Sequence, residues 1–278
     1  MFICLNGKIL RAEDPVLLAS NRGYRYGDAL FETMKVASKN ILLETYHFER
    51  LFAGLRLLQF EVPKLLTREK LCKEVLLLAE KNNCGNLARI RLSVFRGNGG
   101  VYDEERTPQY LIECWPLNES LNRLNENGLV IDVFPAARKS CDSFSHLKSA
   151  NYLPYTMAAI YAKANKLNDC LVLNTDGNIA DATIANVFLI KEGVIITPGP
   201  DQGCVNGVMR RHLLEKMKDA GYSIQENPVS VSTLEEADEV FLTNAISGIR
   251  WVKQFREKVY SNNLTVEIYN RFIKTIPA

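Results

Sequence analysis

Phe144-Ser145-His146-Leu147-Lys148-Ser149-Ala150-Asn151-Tyr152 is where architecture and chemistry first meet in this sequence. Read with a two-residue period, it is an extended segment with Phe144, His146 and Lys148 on one side. It runs into a helix predicted over 152–166, where Pro154 occupies the tolerated first turn. A lysine therefore stands at a junction between an extended segment and a helix. Facing inward, its amine has a depressed pKa and can form an imine with a carbonyl compound. Facing outward, it is a solvated lysine at a strand end. His146 reads as a packed or surface histidine, because the other two histidines lie at distant positions that offer no metal spacing.

Working toward the N-terminus, apolar periodicity predicts a hairpin at Asn6-Gly7, a strand over 30–37, a turn at Ser38-Lys39-Asn40 and a partner strand over 41–44. From Thr45 the period changes to that of a helix, with Phe48, Leu51, Phe52, Leu55 and Leu58 on one face. A second helix fits 67–82, with Leu71, Val75, Leu78 and Ala79 buried, and strands follow over 90–94 and 110–115. These elements make a first domain, 1–116. The stretch 117–127, with four Asn among few apolar residues, is the linker expected by composition. The second domain, 128–278, takes in a strand at 129–134, the helix at 152–166 and a hairpin at Asp176-Gly177. A strand ending at Thr197-Pro198, a helix over 207–221, a strand over 239–243 and a C-terminal helix near 266–276 complete it. The fold class is α/β in two domains.

Composition narrows the function. With 278 residues, 47% hydrophobic and 24% charged, the chain is long enough for two cores and is neither disordered nor collagen-like. Its 34 basic and 32 acidic residues leave a net charge of +2 with no dense basic stripe, so nucleic acid is not an expected partner. Seven scattered cysteines, none in a CxxC pair, argue against a disulfide framework or a zinc site and fit a reducing cytoplasm. No run approaches the roughly 18 to 20 apolar residues that a membrane span requires, so neither export nor membrane insertion is expected.

Three further segments carry chemistry. Gly203-Cys204-Val205-Asn206-Gly207-Val208-Met209-Arg210 leads into an amphipathic helix, and is either a plain capped loop or an anion site built of free backbone N–H groups. In Gly177-Asn178-Ile179-Ala180-Asp181-Ala182, one acid sits in a small, apolar strand. Buried there, Asp181 needs a partner such as a protonated ring nitrogen, or it bonds backbone at a strand edge. Arg96-Gly97-Asn98-Gly99-Gly100 is either a hairpin tip or a place where an arginine meets a substrate carboxylate. It lacks both the Walker and the dinucleotide patterns.

Taken in order, the chain resembles the fold type IV, or class IV aminotransferase, family of pyridoxal-phosphate enzymes. This family includes branched-chain aminotransferase, D-amino-acid aminotransferase and aminodeoxychorismate lyase. The markers are Asn21-Arg22-Gly23-Tyr24-Arg25-Tyr26-Gly27-Asp28-Ala29-Leu30-Phe31-Glu32-Thr33, His47-Phe48-Glu49-Arg50-Leu51 and Lys148 with Asn151-Tyr152-Leu153. Ala185-Asn186-Val187-Phe188, the Gly203 to Arg210 segment and Phe241-Leu242-Thr243-Asn244-Ala245 continue the series. The resemblance implies a branched-chain-aminotransferase-like fold with pyridoxal 5'-phosphate between its two domains, Lys148 forming its Schiff base, and a homodimer. It further implies that Arg50 binds the cofactor phosphate, that Val205 and Asn206 offer it backbone amides, and that Tyr152 approaches the cofactor hydroxyl. Asn244 and Ala245 would line the phosphate or substrate side, and Arg25 and Arg96 would meet substrate. Asp181 stands where the family usually has Glu to pair with the pyridine nitrogen.

The Gly203 to Arg210 segment, the Arg96 loop, Asn244-Ala245 and Thr33 are more similar to aminodeoxychorismate lyase than to branched-chain aminotransferase, which usually has Gly at the Thr33 position. The resemblance thus implies release of 4-aminobenzoate and pyruvate from aminodeoxychorismate, with Thr33 assisting protonation. An amino-acid transaminase acting on branched-chain or D-amino acids with 2-oxoglutarate is the alternative. A non-catalytic binding module of the same fold is a third reading, motivated by Asp181. No metal is expected.

Overall fold

The computed structural model describes residues 1–276, which divide into two compact units. The first is Met1–Glu119 with Lys148–Asn151, and the second is Ser120–Leu147 with Tyr152–Ile276.

In the first unit, β1 (Phe2–Leu5) and β2 (Lys8–Arg11) form a hairpin whose turn residues Asn6 and Gly7 have φ of 49° and 83°. Asn and Gly tolerate this conformation best, which is why the dipeptide predicts the turn. A short helix α1 (Arg22–Tyr26), β3 (Ala29–Ala37), β4 (Asn40–Ile41), α2 (Glu44–Leu57), α3 (Arg68–Lys81), β5 (Leu87–Arg96) and β6 (Pro108–Pro116) follow. Among the described residues they make a six-stranded sheet in the order β2-β1-β6-β5-β3-β4. Met34 and Val36 of β3, Ile90 and Leu92 of β5, Phe48, Leu51 and Leu55 of α2 and Leu71, Val75 and Leu78 of α3 are buried in its core. Each such side chain stabilises by about 1.5–3 kcal/mol at most. The strand expected over 41–44 is shorter than its sequence suggests. Leu43 turns into the left-handed region at φ 55°, and α2 begins at Glu44.

In the second unit, β7 (Leu129–Lys139), α4 (Leu153–Ala164), β8 (Asp169–Asn174), β9 (Ile179–Ala182), β10 (Asn186–Lys191) and β11 (Val194–Thr197) come first. Then come α5 (Val208–Asp219), β12 (Ile224–Glu226), α6 (Val231–Glu236), β13 (Glu239–Asn244), β14 (Gly248–Phe255), β15 (Lys258–Val259) and α7 (Asn263–Ile268). The sheet runs β12-β11-β10-β13-β14-β7-β8-β9, with β15 on β14. It is mixed: β7 is parallel to both β14 and β8, β12 is parallel to β11, and the other pairs are antiparallel. Tyr155, Ala158 and Ala162 of α4 pack against Phe134, Cys170 and Val172. The rings of Phe188 and Phe241 stack 4.9 Å apart.

Three sequence expectations need correction. Residues 142–147 are turns and bends rather than an extended segment. The Asp142 carboxylate accepts from the Phe144 amide at 2.9 Å and the Ser145 hydroxyl at 2.9 Å, and the Leu147 amide donates to the Phe144 carbonyl. A local acid thus outcompetes period-2 pairing, and Phe144 is exposed while Leu147 is buried. Nor is 117–127 a loose linker from end to end. The Asn125 side chain exchanges two hydrogen bonds with the Trp251 backbone, its carbonyl accepts from Trp251 Nε1 at 2.6 Å, and the Asn122 carbonyl accepts from Tyr269 Oη. Finally, a boundary drawn by sequence continuity assigns Lys148 to the second domain, whereas Lys148–Asn151 clusters with the first unit. The Phe31 amide donates to the Lys148 carbonyl and the Ala150 amide to the Ala29 carbonyl, both at 2.9 Å, so the segment pairs with β3.

Candidate active site

Strand β3 sorts the first unit's chemistry onto two faces, since alternate side chains point opposite ways. One face carries Glu32, which is 1% exposed and receives Arg50 as a fork: Nε to Oε1 at 2.8 Å and Nη2 to Oε2 at 2.5 Å. His47, fully buried one turn before Arg50 on α2, places Nδ1 2.5 Å from Glu32 Oε2. Burial by itself would raise the Glu32 carboxyl. The charges of Arg50 and His47 and their hydrogen bonds outweigh it and bring the pKa down from 4.5 to about 2. For His47, burial wins over the pull of Glu32, and the imidazole is held below its usual range, with the nearby Arg50 and Lys148 charges acting in the same direction. Nδ1 faces Glu32, and Nε2 is buried without a partner. The opposite face of β3 carries Phe31 and Thr33. Lys148 Nζ lies 4.6 Å from the Phe31 ring centroid, so the predicted lysine sits over an aromatic face. Thr33 is half-buried and paired in register with Arg91, whose guanidinium also lies over Phe31 at 3.9 Å.

The two arginines expected to meet substrate are engaged otherwise. Arg96 Nη1 bonds Asp28 Oδ1 at 2.5 Å, Nη2 bonds the Leu58 carbonyl, and the guanidinium lies 4.3 Å from the Phe60 ring centroid. Asp28 Oδ2 holds Arg22 at 3.1 Å, so Arg96 is half of a clasp on the chain entering β3. Arg25 is exposed at the end of α1, with Nε on the Ala19 carbonyl at 2.9 Å.

In the second unit, Asp181 on β9 is 2% exposed and gathers four donors. Oδ2 accepts from Lys139 Nζ at 3.1 Å, Tyr155 Oη at 2.8 Å and the Val205 amide at 2.9 Å, while Oδ1 accepts from Asn186 Nδ2 at 3.0 Å. Burial and the Asp181 charge push the Tyr155 hydroxyl well above the usual tyrosine range. The Tyr152 ring lies 4.6 Å from that of Tyr155, tilted by 36°, and its hydroxyl donates to the Thr183 carbonyl at 2.9 Å. Asn244 Oδ1 accepts from the Ile246 and Ser247 amides, so its side chain builds the turn that presents Ala245.

The amides expected to hold phosphate are spent inside the protein: that of Val205 on Asp181 and that of Asn206 on the His146 carbonyl at 3.0 Å. An open helix start lies one turn on. Gly207 caps α5 without a side-chain bond, so the first-turn N–H groups at Val208, Met209 and Arg210 have no intrahelical partner. A Cβ on Gly207 would lie 1.9 Å from Asn186 Oδ1, so glycine is required for this approach. Glu32, His47, Lys139 and Tyr155 escaped the sequence reading. Glu32 and His47 stood in quoted motifs with only their spacing as a signal, and nothing in the sequence marks Lys139.

In the first unit, an amine over an aromatic face and a guanidinium oriented by a buried acid suit the aldehyde and the phosphate of a phosphorylated pyridine aldehyde. In the second unit, taken by itself, an uncapped helix start and a buried carboxylate whose Oδ1 accepts one bond only suit a phosphate and a ring nitrogen. Among the described residues no cluster of three or more metal-ligating side chains occurs, and no helix is long and apolar enough to cross a membrane.

Known proteins give the same answer. An aminodeoxychorismate lyase from Bacillus subtilis (strain 168) is 33% identical over 256 residues, covering 89% of this chain and 84% of that one. A D-alanine aminotransferase from Listeria monocytogenes is 26% identical over 253 residues, covering 88% and 84%. The structure of a branched-chain amino acid aminotransferase from T.th. with pyridoxamine 5'-phosphate superimposes with a TM-score of 0.86 at 20% identity, covering 99% of this chain and 93% of that one. The amino-transferase class IV model matches residues 29–255, and the chain belongs to that family of enzymes.

Proposed function

We propose that this chain is a pyridoxal 5'-phosphate-dependent lyase that splits aminodeoxychorismate into 4-aminobenzoate and pyruvate. The observation that carries the reading is Thr33, a hydroxyl on the β3 face that also bears Phe31, the ring over which Lys148 Nζ lies. A glycine at this place, as branched-chain aminotransferases usually have, offers no proton. The likeness to the Bacillus subtilis lyase supports the same choice.

When bound, the cofactor withdraws electrons from the bonds of the substrate carbon that carries the amino group. Lys148 anchors it and takes the proton from that carbon. As the ether C–O bond breaks, Thr33 would pass a proton to the methylene carbon of the departing enolpyruvyl group and take back the one that Lys148 removed. One proton leaves carbon and one is added to carbon, so the substrate divides into its two products without water or oxidant. In the first unit Arg50, aimed by Glu32, would hold the phosphate. In the second unit the α5 amides of Val208 and Met209 would offer donors to a phosphate, Asp181 would pair with the ring nitrogen, Tyr152 would approach the cofactor hydroxyl, and the Asn244-Ala245 turn would line the substrate side.

The second reading, an amino-acid transaminase, uses the same cofactor residues, and the likeness to the Listeria monocytogenes enzyme favours it. Purified protein with the cofactor is given aminodeoxychorismate or, separately, branched-chain, aromatic or D-amino acids with 2-oxoglutarate. Formation of 4-aminobenzoate and pyruvate in equal amounts is expected. Transamination without 4-aminobenzoate sinks the lyase reading.

A further inference from the structure

The surroundings of Asp181 contain a charge count that bears on the cofactor. Lys139 lies at the end of β7, beyond the irregularity between Val133 and Arg138, and its side chain is 12% exposed. Its Nζ is 3.1 Å from Asp181 Oδ2 and 5.2 Å from the Tyr155 ring centroid. The other titratable groups around the carboxylate are neutral. Tyr155 on α4 is held protonated by burial, and the Cys204 thiol is pushed up to about 12 by burial and by Asp181 itself. Asn186 on β10 and the Val205 amide are uncharged donors. Arg210, whose charge acts on Cys204, is paired with Glu226 at 2.5 Å. Asp181 and Lys139 are thus a neutral pair in a buried place, and a protonated ring nitrogen brought to Asp181 adds an uncompensated positive charge.

We infer that Lys139 is a positioning residue that sets the protonation of the bound cofactor's ring nitrogen, holding its proton affinity down by sharing the charge of Asp181. This rests on the reading that Asp181 faces that nitrogen. A ring that withdraws electrons less strongly suits a cleavage driven by formation of an aromatic product. It suits transamination less, since no such gain is available there. Lys139 therefore tilts the site toward elimination of a leaving group.

The test uses holoenzyme loaded with pyridoxal 5'-phosphate labelled with nitrogen-15 in the ring, its chemical shift followed from about pH 6 to about pH 9, where a ring poised near neutrality titrates. Lys139→Met should raise the pH of half-protonation by about one unit or more, a tenfold or greater gain in proton affinity, and Lys139→Arg should restore the parent value. Lys139→Met should also keep the cofactor at least as tightly, because a competing cation has gone. An unchanged or lowered midpoint in Lys139→Met overturns the inference, as does loss of the cofactor from that variant. A ring nitrogen in the parent that stays protonated throughout overturns it too. Asp181→Asn separates this from the underlying reading. A shift that moves in Asp181→Asn but not in Lys139→Met removes only the role of Lys139, and one that moves in neither removes Asp181 as the ring's partner.

Discussion

Arg50, which we propose to hold the cofactor phosphate, is already oriented within its own unit. Its guanidinium is fixed by a two-point bond to Glu32, which the buried His47 also grips. Because the folded pKa of Glu32 lies near 2 and the ordinary value is 4.5, the ionised acid contributes stability that is fully present above pH 4.5 and lost as pH falls toward 2. His47, whose pKa burial lowers, acts in the same sense, since the unfolded chain takes up its proton first as pH drops through 6.5. Glu32→Gln should therefore unfold at lower urea at neutral pH, costing about 3 kcal/mol, because Arg50 and His47 lose a buried partner. Its urea midpoint should also fall less steeply than the parent's between about pH 5 and pH 3. Equal slopes would show that the triad does not couple to folding. Lys148→Ala should lose the absorbance band expected at about 400 to 430 nm for the cofactor bound to an amine, while keeping the parent's thermal unfolding within a few degrees.

At the scale of elements, the start of α5 carries the donors we propose for the phosphate. Gly207→Ala pushes a methyl into Asn186 Oδ1, whose side chain also serves Asp181 and the Val205 carbonyl. A fall in cofactor affinity of at least about tenfold is expected by equilibrium titration, near 1.4 kcal/mol. Gly221→Ala, with nothing within 4 Å of the added Cβ, should leave that affinity unchanged although its φ of +84° costs some stability. Equal losses from the two would contradict the helix-start assignment. Here the reach of the sequence can be gauged. The periodic elements were legible: α3, β5, β6 and the Asn6-Gly7 hairpin follow from apolar spacing and turn chemistry. The 142–147 turn was not, since Asp142 overrides the alternation of its neighbours. Nor was the engagement of the Val205 and Asn206 amides inside the protein. Which amides are spent depends on Asp181 and His146, both distant in sequence. Lys139 is hidden for the same reason, 42 residues from the carboxylate it meets.

At the scale of the whole molecule, helix α4 carries an apolar stripe that its own unit leaves uncovered. Leu153 is 70% exposed, Met157 44% and Ile160 57%, at four- and three-residue spacing. With Tyr155, Ala158 and Ala162 buried on the other side, this helix is apolar on both faces. The homodimer we propose would cover the stripe. Multi-angle light scattering should then give twice the chain mass for the parent and a single-chain mass for Leu153→Asp combined with Ile160→Asp. A monomeric parent would remove the dimer without touching the chemistry. We propose that Lys148 holds the pyridoxal 5'-phosphate of this class IV chain. The protein is incubated with the cofactor, reduced with borohydride and digested, and the modified peptide is sequenced by mass spectrometry. A phosphopyridoxyl group is expected on Lys148 and on no other lysine in stoichiometric amount; an unmodified Lys148, or full modification elsewhere, would overturn the assignment.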